Sequence, residues 1–141
     1  MDIVTHGMMG VIVASPFMPS YPIAASCFMM GSVLPDLDAL SRVLGRRAFL
    51  KSHQTYTHAI PIILLMGGVC WAGFRWTGIR APFAPAALVL GMLFHVALDV
   101  TNTYGITLFA PFSGRRFCLE WVFFIDAFVL AATLPTAVWV G

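Results

Sequence analysis

A chain of 141 residues, 60% hydrophobic and 10% charged, departs from soluble domains, in which about 25% of residues are charged. That balance argues against an ordinary water-soluble fold, and the length leaves room for one domain over residues 1–141. A net charge of +2 is too small to favour nucleic acid as a partner. The expected class is all-α, a polytopic transmembrane bundle of about five hydrophobic helices.

The first two predicted segments, residues 3–18 and 21–35, are apolar but short, and Pro16, Pro19 and Pro22 stand between them. Proline removes a donor and clashes with the preceding turn. The expectation is therefore a tight helical hairpin that need not fully cross a bilayer. A loop over 36–56 follows, with Arg42, Arg46, Arg47 and Lys51. Residues 57–76 and 83–101 then read as spans, since about 20 apolar residues at about 1.5 Å each cross a hydrocarbon core. A second loop, 102–120, carries Arg115 and Arg116, and residues 121–140 form the last predicted span. Cys27, Cys70 and Cys118 are widely spaced and odd in number, which suggests apolar fillers rather than a disulfide framework or a thiolate metal site.

Loop charges choose an orientation. Six basic residues in the loops 36–56 and 102–120 stand against Arg75 and Arg80 on the other side, which assigns the first side to the cytoplasm. On this threading the ionisable residues of the apolar segments converge. His6, Asp36, Asp38, His53, His58, His95, Asp99 and Asp126 all fall near that one face. Ionisable groups beside lipid are costly and tend to be functional, and these residue types bind divalent metals.

Within the constellation, His95 and Asp99 are i and i+4 on one helix face, placed to grip an ion or to hydrogen-bond each other. Asp36 and Asp38 flank Leu37 where a helix ends, and two such carboxylates repel unless a cation or proton lies between them. Their alternative is as solvated loop acids or a helix cap. His53 and His58 precede an apolar segment as neutral imidazole ligands, His53 otherwise being a solvated interfacial side chain. His6 reads either as a ligand or as a core histidine bonded to a carbonyl. Asp126 is a ligand or the acceptor that orients a ligating histidine. Arg115 and Arg116 offer guanidinium forks for a phosphate, or serve as topology signals and lipid-headgroup contacts.

His6, the run Gly31-Ser-Val-Leu-Pro-Asp36-Leu-Asp38, the step Thr57-His58, His95-Val-Ala-Leu-Asp99, Tyr104-Gly105 and Pro111-Phe-Ser-Gly-Arg-Arg116 together resemble the DUF457 or YdjM family of membrane-bound metal-dependent hydrolases. That family is itself distantly similar to zinc-dependent phospholipase C and P1-type nucleases. The resemblance implies two or three zinc ions, with Asp36 as a bridging, catalytic carboxylate and His6, His58, His95 and Asp99 as ligands. It also implies a bacterial inner-membrane location. Gln54, Thr55 and Ala59 depart from the Arg-Gly and Ser that relatives show beside the two loop histidines.

The leading functional expectation is a zinc hydrolase at the cytoplasmic face, acting on a phosphoester of a lipid or lipid-linked substrate. Membrane lipids are expected partners, together with a soluble protein at loop 36–56. The alternatives are a metal or proton transporter, and a membrane adaptor whose metal site is structural.

Overall fold

A computed structural model describes residues 2–37, 56–103, 105–121 and 127–140. These contain five α-helices: α1 (Ile3–Ala14), α2 (Pro22–Gly31), α3 (Ile60–Thr77), α4 (Ala84–Val100) and α5 (Ala127–Val140). No strand is found among the described residues. Ile106 and Phe117 form an isolated antiparallel pair.

Several helix boundaries have a local cause. Asp2 starts α1: its carboxylate accepts from the Thr5 amide at 3.0 Å and from the Thr5 hydroxyl at 2.6 Å, satisfying donors that a helix start leaves orphaned. Burial works to raise the Asp2 carboxyl, but the Thr5 hydrogen bonds outweigh it and hold the group below its ordinary value of 3.8. A carboxylate lowered on folding stabilises above its ordinary value and loses that contribution as pH falls through the folded one. Asp2→Ala should therefore cost about 1 kcal/mol at neutral pH, with a smaller gap to wild type at an acidic pH below that ordinary value. Paired thermal melts at the two pH values check this.

Helix α1 passes into a 3-10 turn, Ser15–Phe17, and Pro22 opens α2 in the first-turn position where its missing donor costs nothing. Pro61 and Pro85 do the same for α3 and α4. At its far end α3 stops on Gly78, whose φ of 71° is the left-handed conformation that favours glycine. Pro135 lies inside α5, and the Thr133 hydroxyl donates to the Val129 carbonyl in the preceding turn (2.8 Å).

The helices pack α2 on α4, α3 on α4, and α1 on α2 and α5. The crossing of α2 and α4 brings backbones together. A Cβ built on Gly91 would strike the Phe28 carbonyl, and one on Gly31 would lie 3.0 Å from the Met92 nitrogen. Ile63, Met92, Val96 and Ile106 form the buried core, flanked by Leu34, Met66 and Val89. The pairing loop locks the ends of two helices: Leu119 N–H donates to Val100 O (2.7 Å), Trp121 N–H to Thr101 O (2.9 Å), and Ile60 N–H to Leu108 O (2.9 Å). Cys27 of α2 and Cys70 of α3 are partly buried free thiols.

Among the described residues, α3 alone is long and apolar enough to cross a membrane, and only 11% of that stretch is buried. Leu64, Leu65, Val69, Trp71 and Trp76 are all exposed. An apolar helix with such an outward face presents a surface suited to lipid rather than water. The predicted spans 57–76 and 83–101 correspond to α3 and to the 17-residue α4. Of 121–140 the described helix takes in Ala127–Val140. The hairpin is shorter than its sequence segments, because prolines cap it and α2 gives way at Gly31 to two turn residues and a 3-10 stretch over 34–37.

Candidate metal centre

Four helix ends meet on one side of the bundle: the start of α1, the end of α2, the start of α3 and the end of α4. Each delivers an ionisable side chain. His6 lies in the second turn of α1, Asp36 in the 3-10 stretch after α2, His58 just before α3, and His95 and Asp99 in the last two turns of α4. All five are buried, with relative exposures of 6% for Asp36, 1% for Asp99 and 0% for the three histidines.

Asp99 occupies the centre. His6 donates from Nε2 to Asp99 Oδ1 at 3.1 Å. The Nε2 atoms of His58 and His95 lie 3.2 and 3.4 Å from Asp99 Oδ2. Asp36 Oδ1 completes the group, 3.6 Å from His95 Nε2 and 3.9 Å from His58 Nε2. The His58 and His95 Nε2 atoms are themselves 3.1 Å apart.

The tautomer of His95 follows from its outer bond. A carbonyl only accepts, so Nδ1 donates its hydrogen to the Ser32 backbone oxygen at 2.8 Å, and Nε2 points inward with a lone pair. On His58 the Thr57 hydroxyl lies 3.0 Å from Nδ1 and can hold that ring the same way. Two imidazole nitrogens at such a distance need a proton or a cation between them. Burial pushes the Asp36 carboxyl above the ordinary carboxylate range, against the pull of His95 and His6. A cation beside it would offset that desolvation.

The donor spacings fit one ion. Ligands at about 2.0–2.1 Å from a tetrahedral metal stand about 3.3 Å from one another. Asp36, His58, His95 and Asp99 each offer one atom, all within 4.8 Å of each other. The four form a buried group able to hold a metal ion. Asp36 Oδ2 and His6 Nδ1 are buried without a hydrogen-bond partner, a condition that is uncommon in a finished core.

The remaining expected site residues divide. Asp38, His53 and Asp126 lie outside the described residues. His6 joins the group through Asp99 and stacks on the His95 ring at 3.7 Å between centroids. Arg115 is exposed and lies over the Phe117 ring at 5.3 Å. Arg116 donates to the Gly105 carbonyl at 3.4 Å. Sequence reasoning did not find Ser32, because it contributes through its backbone oxygen, which no residue type announces. It also passed over Asn102, whose buried amide nitrogen has no hydrogen-bond partner; its i+3 spacing from Asp99 was the available signal.

The chain matches the YdjM inner membrane protein family over residues 1–140 and belongs to it. Uncharacterized protein YfhP of Bacillus subtilis (strain 168) is 28% identical over 151 residues, covering 99% of this chain and 46% of the relative. The chain thus spans about half the length of the curated relative it matches. No solved structure matches.

Proposed function

We propose that this member of the YdjM inner membrane protein family is a polytopic, metal-dependent hydrolase that cleaves a phosphoester of a lipid or lipid-linked substrate at the cytoplasmic face. The observation that carries this reading is the set of four buried donors, Asp36, His58, His95 and Asp99, drawn together at metal-ligand spacing. An N/O donor set of this kind suits zinc. These four match a single ion, and further ions would draw on Asp38, His53 or Asp126. The hydrolytic chemistry is carried over from the resemblance to zinc-dependent phospholipase C and P1-type nucleases.

A metal bound here would supply charge for phosphoryl oxygens and acidify water toward neutral pH. The chain's own residues have distinct parts. His95 is fixed in ring angle by Ser32, and Asp99 is held by His6, so the donors are oriented before anything binds. Asp36 directs Oδ1 at the histidines and keeps Oδ2 without a hydrogen-bond partner, which suits it to take the proton of the attacking water. Arg115 and Arg116 on the neighbouring loop bind the phosphate. The loop 36–56, basic by sequence, would face lipid headgroups or a soluble partner on that side.

The test is turnover. Purified protein should hydrolyse a phospholipid or a polyprenyl phosphoester, lose the activity on chelation and regain it with zinc. With zinc held at saturation, Asp36→Asn should lower turnover by about 100-fold or more. Bound metal with no turnover across a lipid phosphoester panel, together with metal flux in proteoliposomes, would replace this reading with transport.

A further inference from the structure

We propose that the Asn102 side-chain amide donates a hydrogen bond to an oxygen of a phosphate group bound at the metal centre, forming an anion subsite with Arg116. This inference rests on the metal-centre reading above and names the chemistry of what binds there.

Position comes first. His95, Asp99 and Asn102 stand at i, i+4 and i+7, so the helix face that carries the two candidate ligands carries Asn102 one turn further on. The Asn102 backbone N–H donates to the Asp99 carbonyl at 3.1 Å, which continues the turn and keeps the two residues adjacent. The side chain is 1% exposed.

Its orientation is settled by the other end of the amide. Asn102 Oδ1 accepts from the Thr103 N–H at 2.6 Å and from the Thr103 hydroxyl at 3.3 Å. Exchanging the amide's oxygen and nitrogen would set two donors against each other. The NH₂ group is therefore turned away from Thr103, buried and without a hydrogen-bond partner. A buried donor left unmade is costly, and one held so in a packed interior calls for a functional explanation, of which a bound acceptor is one.

The surroundings choose the ligand. Val100 and Thr101, the residues just before Asn102, are clamped by Leu119 and Trp121, so the amide is held in place rather than adapting to whatever arrives. Three residues on, the Gly105 carbonyl accepts from the Arg116 guanidinium, which fastens a permanent positive charge to the same turn. A metal, a guanidinium and a fixed amide donor are all electron-poor. Phosphate, with several acceptor oxygens and negative charge, complements all three. The phosphate could come from a lipid headgroup or be free in solution.

The experiment uses the full chain in a non-ionic detergent, loaded with zinc. Inorganic phosphate and short-chain phosphatidic acid are titrated separately by calorimetry against wild type, Asn102→Leu and Asn102→Ala. Metal content and melting temperature are measured alongside. The expected result is a loss of phosphate affinity of about tenfold or more in both variants, with metal content and melting temperature unchanged. Loss for both titrants identifies the phosphate group itself, and loss for phosphatidic acid alone identifies a lipid source. Equal affinity in all three proteins overturns the proposal, as does absence of binding to wild type. A parallel fall in metal content, melting temperature and affinity in both variants assigns Asn102 a structural role and overturns it too. Wild type that retains no zinc defeats the metal-centre reading, and this proposal with it. Zinc retained with unaltered phosphate binding defeats this proposal alone.

Discussion

Replacing Asp99 with alanine should strip the protein of its metal. Wild type is expected to retain about one zinc per chain through gel filtration, and Asp99→Ala to lose well over 100-fold in affinity. Asp99 is the residue on which three imidazoles converge, at 3.1, 3.2 and 3.4 Å from His6, His58 and His95. Its removal deletes a donor and also releases His6 and the two ring nitrogens that face it. His6→Ala should be milder, about 10–100-fold, because His6 touches the group through Asp99 Oδ1. Elemental analysis by mass spectrometry against a buffered zinc series reads both numbers. Equal metal in wild type and Asp99→Ala would remove the site. A His6 effect as large as that of Asp99 would make His6 a ligand in its own right.

The second large effect lies away from the chemistry. Gly91→Leu should prevent α4 from seating on α2. A side chain at Gly91 would meet the Phe28 backbone, with the Gly31 Cα 3.1 Å away. Backbone cannot rotate aside as a side chain can, so the helices must separate. Overpacking of cores typically costs 1–3 kcal/mol, and this contact should sit at about 3 kcal/mol or above. At a few degrees per kcal/mol, the melting temperature should drop by about 10 °C, if the protein remains monodisperse at all. Gly68→Leu is the control: nothing lies within 4 Å of a Cβ there, so the melt should hold. Because α2 ends just before Asp36, Gly91→Leu should weaken zinc binding as well. A Gly91→Leu protein that melts like wild type would show that the close crossing is not needed.

How far these features were legible depends on the range of the interaction. The pairing of His95 with Asp99 is a local property, since 3.6 residues per turn put i and i+4 on one face. Asp36 and His58 were visible because charge at the edge of an apolar segment is conspicuous. His6 was visible as a member of the group but not as the partner of Asp99, a contact across 93 positions of the chain. Asp126, by sequence a ligand or the acceptor that orients a ligating histidine, lies outside the described residues. For His95 that acceptor is the Ser32 carbonyl, and every residue has a carbonyl, so composition carries no trace of it.

The sequence by itself determined which segments are apolar, where proline and glycine punctuate them, and which side chains are of metal-binding types. Those are local facts of propensity, periodicity and desolvation cost. Only the tertiary structure decided which of those side chains meet and what each one faces. The Gly31–Gly91 crossing sets how near α2 comes to α4. The loop pairing of Ile106 with Phe117 sets where the end of α4 stands. Spacings of 3.1 to 3.9 Å among side chains from four helix ends follow from those backbone approaches, which hydrophobicity drives but does not aim.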